Sequence, residues 1–200
     1  AGPIGTNLEN MSKHHRNRNW APAPQPLPED AHVIDNHTHV ASVVPFSQAM
    51  SHEAMEKGQG EVPVYSVDEL LEQAQKVGVE GVIDCGCELP NLMTAIDMAR
   101  EHPGTVHAAI AIHPNEAVLH GHRGAPGPDG LPIKYKPWHD IPFDEAMAEV
   151  HRLATTYPNQ VVAIGETGMD LFRTGESAKE LQREAFRAHI ALAKELNLPM

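Results

Sequence analysis

Apolar residues along this chain switch between two periods, and the switches mark out strand–helix units. Val33 and Ile34 open a strand over roughly 32–37. Val67, Leu70, Leu71, Ala74 and Val77 then recur at helical spacing, with Ser66 as N-cap, Glu69 three positions later and Gly78 as the stop, which predicts a helix over 67–77. A continuous apolar run predicts a second strand over 81–85, and Leu92, Ala95, Ile96 and Ala99 predict a helix over 89–101. Strands over 106–112 and 161–165 and helices over 143–156 and 177–196 complete the pattern. Two stretches, 41–66 and 120–142, carry Gly, Pro and polar residues without a clear period and are read as insertions. Residues 1–30 are read as a disordered lead: a small basic cluster (Lys13, Arg16, Arg18) precedes a proline-rich spacer (Pro22, Pro24, Pro26, Pro28).

Strands alternating with helices imply a parallel sheet, and strands that are apolar almost throughout imply that both faces are covered. Four units are visible, and a fifth strand is expected to begin near Leu198-Pro199-Met200. A closed eight-unit barrel needs about 250 residues. The pattern therefore predicts an α/β fold, a TIM (β/α)8-type barrel of which residues 31–200 supply the first four units as the N-terminal portion of one domain. Position 1 is not Met, so the chain reads as a processed, trimmed or partial product.

Polar residues that break this apolar framework fall at one edge. His37 and His39 stand at i and i+2, which on a strand point to the same face, as two imidazole ligands of one metal require. His113 ends the third strand and Glu166 the fourth. Barrel active sites are built at the C-terminal ends of the strands, so His37, His39, His113 and Glu166 are candidates for a shared site. The composition bears on partners. With 27 acidic and 15 basic residues the formal charge is −12, which argues against gripping nucleic acid along a broad basic face but not against handling one strand end at a cationic metal centre. No apolar run is long enough for a transmembrane helix, and two cysteines only two positions apart, Cys85 and Cys87, suit a reducing, cytoplasmic setting better than a disulfide framework.

Taken together, Ile34-Asp35-Asn36-His37-Thr38-His39, Ala111-Ile112-His113-Pro114-Asn115-Glu116-Ala117, Val162-Ala163-Ile164-Gly165-Glu166-Thr167-Gly168-Met169-Asp170, Gln182-Arg183-Glu184-Ala185-Phe186 and Ala193-Lys194-Glu195-Leu196-Asn197-Leu198-Pro199 resemble, in order and spacing, the TatD family of metal-dependent hydrolases. The resemblance implies that His37 and His39 ligate one metal and that Glu166 is a carboxylate able to bridge two and to activate water. It implies that His113 lies at the substrate phosphate, that Asp170 orients the site from behind, and that Arg173 helps hold phosphate. It further implies two divalent ions (Zn, Mn or Mg) and hydrolysis of phosphodiester bonds, trimming single-strand ends of DNA from the 3′ side. The family's remaining ligands come from later strands. A glutamate at position 166, where many related barrels carry a carbamylated lysine, favours this branch.

Two alternatives stand beside that reading: a hydrolase of the same architecture acting on a small ester, lactone or amide, which the acidic balance mildly favours, and a catalytically incomplete half-barrel that persists by pairing its open edges. Cys85 and Cys87 are read as small strand-end residues. His120, His122 and His139 are expected on the surface of the second insertion, and His189 on a solvated helix face. Met50, Met55 and Met93 are expected to pack. Both insertions follow strand C-termini and so lie on the side where they could act as lids.

Overall fold

The computed structural model describes residues 26–59, 63–128 and 130–200. The basic cluster of the lead, with Pro22 and Pro24, lies outside the described residues. Four strands, β1 (Val33–Thr38), β2 (Val79–Gly86), β3 (Val106–Ile110) and β4 (Val161–Ala163), form one parallel sheet in the order β1-β2-β3-β4. Among the described residues six α-helices accompany them: α1 (Val40–Glu56), α2 (Val67–Lys76), α3 (Leu89–Glu101), α4 (Pro114–Leu119) and α5 (Phe143–Thr156) between strands, and α6 (Lys179–Leu196) after β4. Sequential neighbours in parallel register are what the first four units of a barrel require. The ladder also continues at its growing edge, where Ile164 N–H donates to the Pro199 carbonyl at 2.9 Å.

Amphipathic helices cover one face of the sheet. Leu92 and Ile96 of α3, Val150 and Leu153 of α5, and Ala185 and Leu192 of α6 join Val106, Ile110 and Ile164 in the core. Helix α2 begins as its sequence predicts: Ser66 Oγ accepts from Glu69 N–H, and the Glu69 carboxylate accepts from Ser66 N–H at 2.7 Å. Gly86, at the turn from β2 into α3, has no room for a side chain, because a Cβ there would lie 2.9 Å from both the Asn91 carbonyl oxygen and the Leu92 Cα. A cavity of about 530 Å³ is lined by Ile83, Ala109, Ile164, Glu166, Phe186 and Met200. No helix among the described residues is long and apolar enough to cross a membrane.

Several expectations need correction. Most of the stretch read as the first insertion is helical: α1 occupies 40–56. Its buried stripe is Val40, Ser47, Ser51 and Ala54, small and half polar, and Pro45 lies within it, so neither amphipathicity nor propensity announces a helix. His120, His139 and His189, expected at the surface, are all buried, at 0%, 1% and 0% exposure. Each has a backbone or side-chain partner in the interior: His120 Nδ1–H donates to the Ile141 carbonyl at 2.7 Å, and His139 Nε2–H to Glu116 at 2.7 Å. His122 is exposed as expected, paired with Asp140 at 2.6 Å. Met93 packs against the core, whereas Met55 is 58% exposed.

His189 joins α6 to the end of β3. Its Nε2 accepts from Ile112 N–H at 3.0 Å, and its Nδ1–H donates to the Ala185 carbonyl at 2.7 Å. Burial pushes its pKa below the ordinary histidine value, outweighing the Ala185 hydrogen bond. The unfolded chain therefore binds this proton more readily, so the stability the neutral ring contributes is complete above about pH 6.5 and is lost as pH falls toward the folded-state pKa. An NMR titration should place the His189 midpoint below 6.5, and His189→Gln should flatten the fall in urea midpoint on acidification; a midpoint at or above the ordinary value contradicts the buried neutral ring. In the core, Leu92→Ala should cost about 2–5 kcal/mol in urea unfolding.

Candidate metal centre

The C-terminal edge of the sheet gathers three possible metal donors. His37 is the penultimate residue of β1, at a register shift in the ladder, and the Asp35 carboxylate accepts from its N–H at 3.1 Å. His39 is the residue before α1. Glu166 follows β4 by three residues, and its peptide bond to Gly165 is cis. One ligand atom from each of His37, His39 and Glu166 lies within 4.8 Å of the others. Glu166 Oε2 stands 3.3 Å from His37 Nε2 and 3.9 Å from His39 Nε2. Donors of one ion, each bound at about 2.0–2.2 Å, stand roughly 3–4 Å apart, so the spacing suits a shared cation.

Hydrogen bonds select the tautomers. His39 Nδ1–H donates to the Cys85 carbonyl at 3.2 Å, which leaves Nε2 as a bare lone pair facing Glu166, the arrangement that second-shell contacts give metal-binding imidazoles. His113 is set the opposite way. Its Nδ1 accepts from Asn115 N–H at 3.1 Å, so the neutral ring carries its proton on Nε2, which faces Glu166 Oε1 at 3.4 Å. His113 thus offers the site a donor and not a ligand lone pair. It is held there by an extension of the ladder, His113 N–H donating to the Cys87 carbonyl at 3.0 Å. The donor set of two imidazoles and a carboxylate, about half, half and one-third exposed, fits a borderline divalent ion.

Asp170 stands behind this group. Its Oδ2 accepts from Asn115 Nδ2 at 2.8 Å and its Oδ1 from Phe172 N–H at 2.9 Å. Partial burial draws its pKa up, but the Phe172 and Asn115 hydrogen bonds and the nearby Arg173 charge outweigh this and hold the carboxyl below its ordinary value. Arg173, in the same loop, lines an adjacent cavity with Asn115 and Thr174 and is not among the three clustered donors.

Sequence reasoning gave no part in the site to three further residues that lie behind this edge, Asp84, Gln182 and Cys87. Asp84 is 1% exposed and accepts from Val40 N–H at 2.5 Å, capping α1 and so fixing the backbone at His39. Burial raises its pKa against the Val40 and Ala41 hydrogen bonds. An acid inside the apolar run Val82-Ile83-Asp84-Cys85 was the available signal. Gln182, fully buried on α6, receives Asp170 N–H at 2.8 Å and donates to the Asp170 carbonyl and to Thr174 Oγ, each at 2.6 Å. Cys87, beyond its role as a small strand-end residue, points its thiol at Glu166 Oε2, 3.6 Å away. Desolvation, followed by the nearby carboxylate charge, pushes the Cys85 thiol up to about 11; desolvation, only partly offset by a backbone hydrogen bond from Glu166, pushes Cys87 up to about 12.

Asp84→Ala should cost about 1–2 kcal/mol by leaving α1 uncapped. Gln182→Leu should cost about 1–3 kcal/mol and expose the Asp170 amide to hydrogen exchange; wild-type protection at Asp170 would show that Gln182 does not hold the loop.

The profile of the family described as TatD related DNase matches residues 34–200. An uncharacterized metal-dependent hydrolase of Bacillus subtilis is 32% identical over 134 residues, covering 67% of this chain and 42% of the relative. A protein of Erwinia tasmaniensis named 3′-5′ ssDNA/RNA exonuclease TatD is 32% identical over 133 residues, covering 66% of this chain and 42% of the relative. The chain thus spans less than half the length of these relatives. In fold it is similar to a TatD homologue from Escherichia coli (TM-score 0.53, 23% identity, covering 84% of this chain and 48% of the other). It is also similar to a TatD family hydrolase from Entamoeba histolytica (TM-score 0.55, 20% identity, covering 84% and 48%). With the parallel sheet and the family match across nearly all of its described length, the chain belongs to the TatD-related DNase family.

Proposed function

We propose that this chain carries part of the divalent-metal site of a hydrolase that removes nucleotides from the 3′ ends of single-stranded DNA. The convergence of His37, His39 and Glu166 donors within 4.8 Å at the C-terminal edge of the sheet carries this reading. The naming of several relatives as ssDNA/RNA exonucleases supports the substrate. Nε2 of His37, Nε2 of His39 and the Glu166 carboxylate would hold the cation, zinc, manganese or magnesium. Such an ion supplies Lewis-acid polarisation of a water and of a phosphoryl oxygen.

The remaining work falls to the chain's own groups. His113 Nε2–H can donate to a non-bridging phosphate oxygen. Asn115 fixes the tautomer that makes it a donor, and Asp170 fixes Asn115. The acidic overall balance repels a long polyanion, so the substrate is expected to engage by its end, at the edge where the cation would be held.

Zn²⁺ titration of this chain should show saturable binding that His37→Ala, His39→Ala and Glu166→Ala each weaken. The weakening should exceed the roughly 10–100-fold typical of residues behind the ligands. In the longest native form of the protein, EDTA and Glu166→Ala should each abolish release of mononucleotides from single-stranded DNA. Wild-type metal affinity in all three variants would remove the site.

A further inference from the structure

We infer that the second insertion, 120–142, builds a nucleotide-binding subsite beside the metal centre. This deepens the nuclease reading and rests on it for the identity of the substrate. A cavity of about 450 Å³ lies between α4, the insertion and the loop after Glu166, lined by Leu119, Leu131, Pro132, Ile133, Lys134 and Arg173. That volume falls in the range of small-ligand sites.

The insertion is tied on both sides to elements that position the catalytic edge. On the α4 side, Glu116 Oε2 accepts from Trp138 Nε1–H at 3.1 Å and from His139 Nε2–H at 2.7 Å. Gly124 lets Leu119 and Ile133 close on each other, since a Cβ there would meet Leu119 at 2.6 Å and Ile133 at 3.3 Å. On the loop side, Pro126 bridges to Thr174, Gly175 N–H donates to the Ala125 carbonyl at 3.2 Å, and Gly127 sits where a Cβ would fall 2.4 Å from the Arg173 carbonyl carbon. The cavity therefore shares Asn115 with the chain of contacts running from His113 to Asp170.

The lining has two characters. Leu119, Leu131, Pro132 and Ile133 make an apolar wall, and Lys134 and Arg173 bring two cations to a protein whose formal charge is −12; the Glu116 carboxylate also lines the cavity, its Oε2 engaged by Trp138 Nε1–H and His139 Nε2–H. An apolar plane joined to an anion fits a nucleotide, its base against the wall and its phosphate at the cations. The occupant is the nucleotide next to the one being removed, and the subsite gives the enzyme a grip on the strand that the metal centre alone does not supply.

The test is an NMR titration of this chain, in EDTA, with the 5′-phosphorylated thymidine dinucleotide, and in parallel with thymidine and with inorganic phosphate. The dinucleotide should shift the Ile133, Lys134 and Arg173 amides at low-millimolar concentration. Lys134→Glu and Ile133→Asp should each weaken binding by about 10-fold or more while Zn²⁺ affinity is unchanged, and His37→Ala should leave dinucleotide binding intact. Absence of shifts, unchanged affinity in both variants, or phosphate binding as well as the dinucleotide would overturn the subsite. Loss of Zn²⁺ binding in the wild-type chain would instead overturn the metal centre, so the two failures are distinct.

Discussion

Parallel pairing of four strands in sequential order is the constraint on which the rest depends. Because all four strands run the same way, their C-terminal ends share one edge, and residues remote in sequence meet there without a loop having to reach for them. His37 and Glu166 are separated by most of the chain, yet each needs only to follow its own strand to arrive 3.3 Å from the other. The same ladder, extended by His113 N–H to the Cys87 carbonyl, delivers the donor histidine to the carboxylate's second oxygen.

Precision at that edge comes from hydrogen bonds behind it. Asp84 caps α1 beside His39, the Cys85 carbonyl takes the His39 Nδ1 proton, and Asn115, Asp170 and Gln182 form a continuous run from His113 to the buried face of α6. These contacts decide which nitrogen of His39 and of His113 is bare. The proposed metal ligand His39 and the proposed phosphate donor His113 are the same residue type, and the backbone group opposite Nδ1 distinguishes them. The clustered side chains remain one-third to one-half exposed, which leaves room for a substrate and for further ligands.

Much of this was legible in the sequence because hydrophobic period and strand-end chemistry agree. Helices α3 and α5 fall where the apolar spacing places them, and His37, His39, His113 and Glu166 all reach the expected edge. Helix α1 was hidden because beyond Val40 its buried stripe is only serine and alanine and it contains Pro45, so it forms by packing and by the Asp84 cap, not by propensity. His120, His139 and His189 were misplaced because an imidazole's burial depends on tertiary partners such as Ile112 N–H and Glu116, which no local pattern reveals. Gln182 illustrates the same limit, since its position in the family-like segment was visible but its grip on Asp170 was not.

The most direct test is anomalous diffraction from crystals of this chain soaked in zinc. A single strong peak about 2.0–2.1 Å from both His37 Nε2 and His39 Nε2, with a Glu166 oxygen beside it, is the result the account predicts. An ion bound through His39 Nδ1, or seated away from Glu166 altogether, would contradict it.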